Sequence, residues 1–147
     1  MSASTKLSSS VKGICYLAES YPNPKTSKEI AENIGVNSSK LRQLLSMLAK
    51  QNIVVSTQGK TGGFTLSKDP GIIHLQEIYC SIEDRKAFHL DVTRRKEKKQ
   101  DRIHDFNNYF LNLFSEVQVE IEDMMKNISI KSIMERLSIK SNYNENQ

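Results

Sequence analysis

The chain has 147 residues, a net charge of +4 and a pI near 9.0, which suits one domain with an appendage and favours a polyanionic partner. Its two cysteines, Cys15 and Cys80, lie far apart with no C-x-x-C pairing, which argues against a disulfide framework or a zinc site. No apolar run approaches a membrane span, and the opening "MSASTKLSSSVK" lacks the apolar centre of a signal peptide, so a soluble, reduced, cytoplasmic protein is expected.

The charge is unevenly placed. Residues 1–68 carry nine Lys/Arg against three Glu, and residues 85–102 carry eight basic against three acidic; the segments between and after them are net acidic.

Leu7, Val11, Ile14, Cys15 and Ala18 recur at helical spacing, and "YPNP" then stops the segment, which predicts a first helix from Leu7 to Tyr21. Thr26-Ser27-Lys28-Glu29 has the capping-box form and opens a short second helix through Ile30, Ala31 and Ile34, ended by Gly35. "VNSS" offers N-caps for a third helix with Leu41, Leu44, Leu45 and Leu48 on one face. Strand-like "NIVVSTQ" (52–58) and "GFTLS" (63–67) flank a glycine-rich turn with Gly62 and Gly63, a hairpin. Helix, tight turn, helix and hairpin make a winged helix.

Ile73 to Ile82 is expected to be a fourth helix, with Leu75, Ile78, Tyr79 and Ile82 inward. Residues 85–100 are charged and aperiodic, a linker by composition; its basic run Arg94–Lys99 has a plain reading as solvated chain and a second as phosphate or protein contact. From Asp101 to about Asn127, Ile103, Phe106, Phe110, Leu113, Val117, Ile121, Met124 and Ile128 step by three or four. One small domain is too short to cover that stripe, so a second copy of the chain is expected to pair along it. A short docking helix follows within 129–138, and residues 139–147 have the composition of a disordered tail. The expected organisation is thus a winged-helix domain over 1–84, the linker 85–100, a dimerisation and docking part over 101–138, and the tail.

"IAENIGVNSSKLRQLLSMLAKQNIVVSTQGKTGGFTLSKD", followed by "IHLQEIY", resembles the Rrf-type winged-helix transcription regulators, which include the iron–sulfur regulator IscR and the nitric-oxide sensor NsrR. The resemblance covers residues 5–84 closely and the long helix loosely. It rests on Ile30-Ala31, Gly35, Leu41, Leu44-Leu45, Gly59, Gly62-Gly63-Phe64 and Leu66 at the family's spacings. It implies a mainly α winged-helix homodimer on double-stranded DNA, with each recognition helix in a major groove and each wing on the backbone or minor groove. Cluster-binding members carry three cysteines in the segment corresponding to 83–102, and this chain has none there. His89 lies in that segment, but one imidazole does not hold a cluster, so no cofactor is expected.

Candidate DNA contacts follow. Ser38, Ser39, Lys40, Arg42 and Gln43 crowd the N-terminal half of the third helix, where a recognition helix meets bases and phosphates; Arg suits guanine and Gln suits adenine. Gln58, Lys60 and Thr61 sit on the wing, Gln58 where the family often has Arg. Lys6, Ser8, Thr26, Ser27 and Lys28, near helix starts, are candidate phosphate donors through side chains and exposed amides. Cys15 and Cys80 read first as packed core residues and second as redox thiols, Cys80 being the better placed beside Arg85 and Lys86. The signal could instead be a small-molecule or protein effector.

His74, His89 and His104 lack metal-ligand spacing, no nucleophile–base constellation appears, and Glu120, Glu122 and Asp123 read as a wet helix face. The sequence therefore points to a dimeric sequence-specific regulator, a repressor released by a signal. The rival is a winged-helix module that binds another protein.

Overall fold

The computed structural model describes residues 1–83 and 102–143. The linker 85–100, with Arg94–Lys99 and His89, and the last four residues of the tail lie outside the described residues.

Helix α1 (Ala3–Ser20) starts four residues before the first apolar position of its stripe, because Ser2 caps it by accepting from the Thr5 amide. Helix α2 (Ser27–Ile34) carries the complete capping box: Thr26 Oγ1 accepts from the Glu29 amide at 3.1 Å and Glu29 Oε2 from the Thr26 amide at 2.8 Å. Gly35 adopts φ 74°, and its N–H returns to the Ala31 carbonyl, closing α2 before α3 (Ser38–Lys50) begins under its Asn37 cap.

Strands β1 (Val54–Thr57) and β2 (Gly63–Leu66) pair antiparallel from Val54 opposite Leu66 to Thr57 opposite Gly63. Both are shorter than expected. Asn52 does not start the strand; it takes φ 59° and turns the chain out of α3, with Ile53 N–H bonded to the Leu48 carbonyl. Only Val54 and Leu66 are buried in the hairpin. Lys25 adds an isolated bridge to Phe64 through reciprocal backbone bonds of 3.0 and 2.8 Å, so the wing is tied to the chain just before α2. Sequence reasoning missed this pairing.

A 3₁₀ turn (Pro70–Ile72) leads to α4 (Leu75–Ile82). The helix starts two residues later than expected because Ile73 is extended: its carbonyl accepts from Ile130 N–H, and Leu75 N–H donates to the Ile128 carbonyl. These bonds bring the C-terminal part of the chain back onto the winged helix. Helix α5 (Arg102–Lys126) packs on α4, with Gln118 and Met125 buried, and α6 (Ile130–Arg136) places Ile130 and Met134 in the same core as Ile14, Leu41 and Leu45. The core therefore draws on both sides of the expected linker.

The expectation of a disordered tail from residue 139 fails for its first five residues. Ile139 and Tyr143 pack against the core, the Asn142 amide and side chain donate to the Ala18 and Glu19 carbonyls, and the Tyr143 and Tyr21 ring centroids lie 4.7 Å apart. Polar composition concealed two apolar anchors.

Candidate nucleic-acid interface

Helix α3 buries Leu41, Leu44, Leu45 and Leu48 against the core, which turns Ser39, Lys40, Arg42 and Gln43 outward; Ser38 is half-buried. Its first turn holds no acidic residue, and Asn37 caps only the Lys40 amide. The Ser38 and Ser39 amides therefore stay at the positive end of the helix dipole, where a phosphate is favoured.

The start of α2 is different chemically. Its capping box consumes the Thr26 and Glu29 amides, and the bond from the Thr26 backbone is the leading cause that holds the Glu29 carboxyl below its ordinary value, so the first turn of α2 carries a negative charge. Thr26 still has a hydroxyl proton to give outward, and Lys28 is exposed. Ser27 departs from the expectation of a phosphate donor. Its side chain is buried, and its hydroxyl accepts from Arg42 Nε at 3.3 Å.

At the wing, Gly62 N–H bonds to the Gly59 carbonyl at 3.0 Å, which leaves Lys60 and Thr61 as the two central residues of an exposed turn, with Gln58 exposed beside it. Two glycines are sterically required. A Cβ on Gly62 would stand 2.5 Å from the Thr57 carbonyl, and one on Gly63, where φ is 154°, 2.6 Å from the Lys25 carbonyl. The contacts run continuously: β2 pairs with Lys25, Lys25 leads to the cap of α2, and Ser27 in that first turn meets Arg42 of α3. Wing, α2 and α3 are thus stitched together, and the stitched segments carry Lys25, Lys28, Lys40, Arg42 and Lys60.

Two α1 candidates stand apart. Because α1 begins at Ala3, Lys6 and Ser8 lie inside the helix and their amides are no longer helix-start donors; Ser8 offers only its exposed side chain. Lys6 Nζ is held by Glu83 at 3.0 Å. Its charge joins α1 to the end of α4, a contact across 77 residues that no local pattern reveals.

The two thiols have unlike settings. Cys15 is buried in α1, where burial first and the charge of Glu19 second push its thiol up to about 11. Cys80 is exposed on α4; Gln76 Nε2 donates to its sulfur at 3.2 Å, and Glu122 Oε1 of α5 lies 3.9 Å from it. The expected packed-core reading holds for Cys15 and fails for Cys80.

On α5, the expected stripe is uncovered in the single chain. Ile103, Phe106, Phe110 and Met124 are exposed, and Leu113, Val117 and Ile121 half-buried. Phe106, Phe110 and Phe114 form a ladder with centroids 6.3 and 5.8 Å apart, of which the stripe expected from sequence omitted Phe114. Nearer α4, Val117, Ile121, Met124 and Ile128 line an apolar depression with Leu75.

The family model of the Rrf2 iron-dependent transcriptional regulators matches residues 3–136. The chain belongs to the Rrf2 family. It is a transcriptional regulator of that family, whose members are not enzymes. It is 30% identical to the HTH-type regulator YwnA of Bacillus subtilis over 77% of this chain and 84% of that protein. It is 36% identical to IscR of Cronobacter sakazakii over 55% of this chain, which spans less than half of that protein. Among solved structures, a transcriptional regulator from Lactobacillus plantarum superposes with a TM-score of 0.79 at 20% identity, covering 90% of this chain and 89% of that one. CymR, the global cysteine regulator of B. subtilis, superposes at 0.65 and 18% identity over 92% of this chain and 98% of that one. These superpositions bear out the winged-helix fold.

Iron dependence goes with the matched family, yet the donor set of this chain does not fit an iron–sulfur cluster. A cluster of that kind is held by four side chains, usually all thiolates and with at least two thiolates where histidine stands in. The chain has two cysteines, one of them a core residue that burial keeps protonated. Among the described residues no group of three His, Cys, Asp or Glu is placed to hold a metal ion, and no helix is long and apolar enough to cross a membrane.

Proposed function

We propose that this Rrf2 protein acts as a homodimer that binds an operator in double-stranded DNA and represses transcription by covering it. The stitched edge from wing to α3 is the observation that supports the reading, in which Arg42 and Gln43 read bases and Lys60, Thr61 and the open α3 amides meet phosphates. The uncovered ladder on α5 supports pairing of two copies, which would present two recognition helices to two half-sites. A signal that shifts α5 against α4 would alter their spacing and release DNA. Of the two thiols, Cys80 is the one an oxidant can reach, and it lies between those helices; a small-molecule or protein effector acting on the same contact is the other route.

Selection of duplexes from a random-sequence pool by the purified protein tests this. The expected product is an inverted repeat whose half-sites are about one helical turn apart. Failure to enrich any sequence, with binding indifferent to salt, would favour the protein-docking alternative instead.

A further inference from the structure

The geometry points to Ser27 as a specificity-determining residue that positions Arg42 for one base pair of the operator, an inference that rests on α3 being the recognition helix. Ser27 is only 6% exposed, so it cannot itself reach a nucleic acid. Its backbone is nevertheless held in place: it belongs to the first turn of α2, which the Thr26–Glu29 capping box ties, and α2 packs directly on α3. Onto the Ser27 hydroxyl oxygen Arg42, fifteen residues away in sequence and exposed to solvent, donates its Nε–H at 3.3 Å.

The consequence follows from the shape of a guanidinium. Five N–H groups lie in one plane, and a bidentate contact can use either the Nε side or the two terminal nitrogens. With Nε committed to Ser27, the side edge is occupied and the terminal Nη1/Nη2 edge remains. That edge matches the O6 and N7 acceptors of guanine in the major groove. A free arginine side chain gives up rotamer entropy when it is ordered. The Ser27 bond incurs part of that before DNA arrives, and it rejects orientations that would serve another base or a phosphate. A lysine at position 42 could still donate to Ser27, but its ammonium lacks the planar fork that couples that bond to the direction of the remaining donors.

The guanidinium's charge raises the worth of this hydrogen bond and the solvent exposure of Arg42 lowers it, so the expected size is that of an ordinary hydrogen bond, about two- to tenfold in a binding ratio. At 3.3 Å the bond is longer than the usual ~2.9–3.0 Å, which places the expectation at the lower part of that range.

The experiment compares the parent, Ser27→Ala, Arg42→Ala and the double variant on the selected operator and on duplexes changed one base pair at a time. Alanine suits the first turn of a helix, and circular dichroism confirms that each variant is folded. Arg42→Ala is expected to lose about five- to 150-fold discrimination at one base pair. Ser27→Ala is expected to lose about two- to fivefold at that same base pair and nothing at the others, and to add nothing in the Arg42→Ala background. Ser27→Ala behaving as the parent while Arg42→Ala loses discrimination would overturn the role of Ser27 alone. So would a uniform loss of affinity at every position, the mark of a merely structural residue. Retention of full discrimination by Arg42→Ala would overturn the recognition-helix reading itself, and the inference with it.

Discussion

Replacing Phe106 by Ala should break the proposed dimer without unfolding the chain. Phe106 sits on the first part of α5, away from the core, and is 54% exposed. A phenylalanine side chain presents about 200 Å², so roughly 100 Å² would leave water in each protomer on pairing. At about 25 cal/mol per Å² that is ~2.5 kcal/mol per copy, or ~5 kcal/mol per dimer. Alanine retains part of the contact, leaving a loss of about 3 kcal/mol, which raises the dimer dissociation constant roughly 150-fold. Sedimentation equilibrium over a range of concentrations reads this directly. Asn112→Ala, exposed and about 120° round the helix, serves as the control and should leave the constant unchanged. A monomeric parent at micromolar concentration, or a Phe106→Ala protein that dimerises as tightly as the parent, would refute the argument.

Lys60→Ala should weaken binding to all duplexes alike and lower the salt slope by about one, measured by fluorescence anisotropy at several salt concentrations. At pH 8 the folded protein should show one fast-reacting thiol, Cys80, and one protected, Cys15, whose raised value of about 11 leaves roughly one thiolate in a thousand; a Cys80→Ser protein that reacts as fast as the parent would contradict this. Glu29 is held below its ordinary value of 4.5, so its capping contribution is full above that value and is lost as pH falls through the lower folded one. The stability gap between the parent and Glu29→Gln in urea unfolding should accordingly shrink below pH 4.5, and a gap that stays constant to pH 3 would contradict the assignment.

Local chemistry made much of the fold readable. The capping box, Gly35 and the leucines of α3 each fix a boundary or a face within a few residues, and the Gly59–Gly63 stretch marks the wing through steric need alone. What stayed hidden depends on partners distant in sequence. Lys25 forms a bridge only one residue long, which has no alternating pattern to detect. Lys6 looks like a DNA contact until Glu83 arrives from α4, and Ser27 looks like a phosphate donor until α3 covers it. Cys80 reads as a core residue, yet it is exposed, with Glu122 arriving beside it from α5. Residues 139–143 read as tail because their polar majority outweighs Ile139 and Tyr143, the two side chains that dock.

The most direct test of the account is the affinity of the purified protein for its selected duplex and for a scrambled duplex of equal length, measured side by side at physiological salt. The account predicts binding at least ~10³-fold tighter to the selected duplex, with both affinities falling as salt rises. Equal affinity for the two duplexes would contradict sequence-specific recognition by α3.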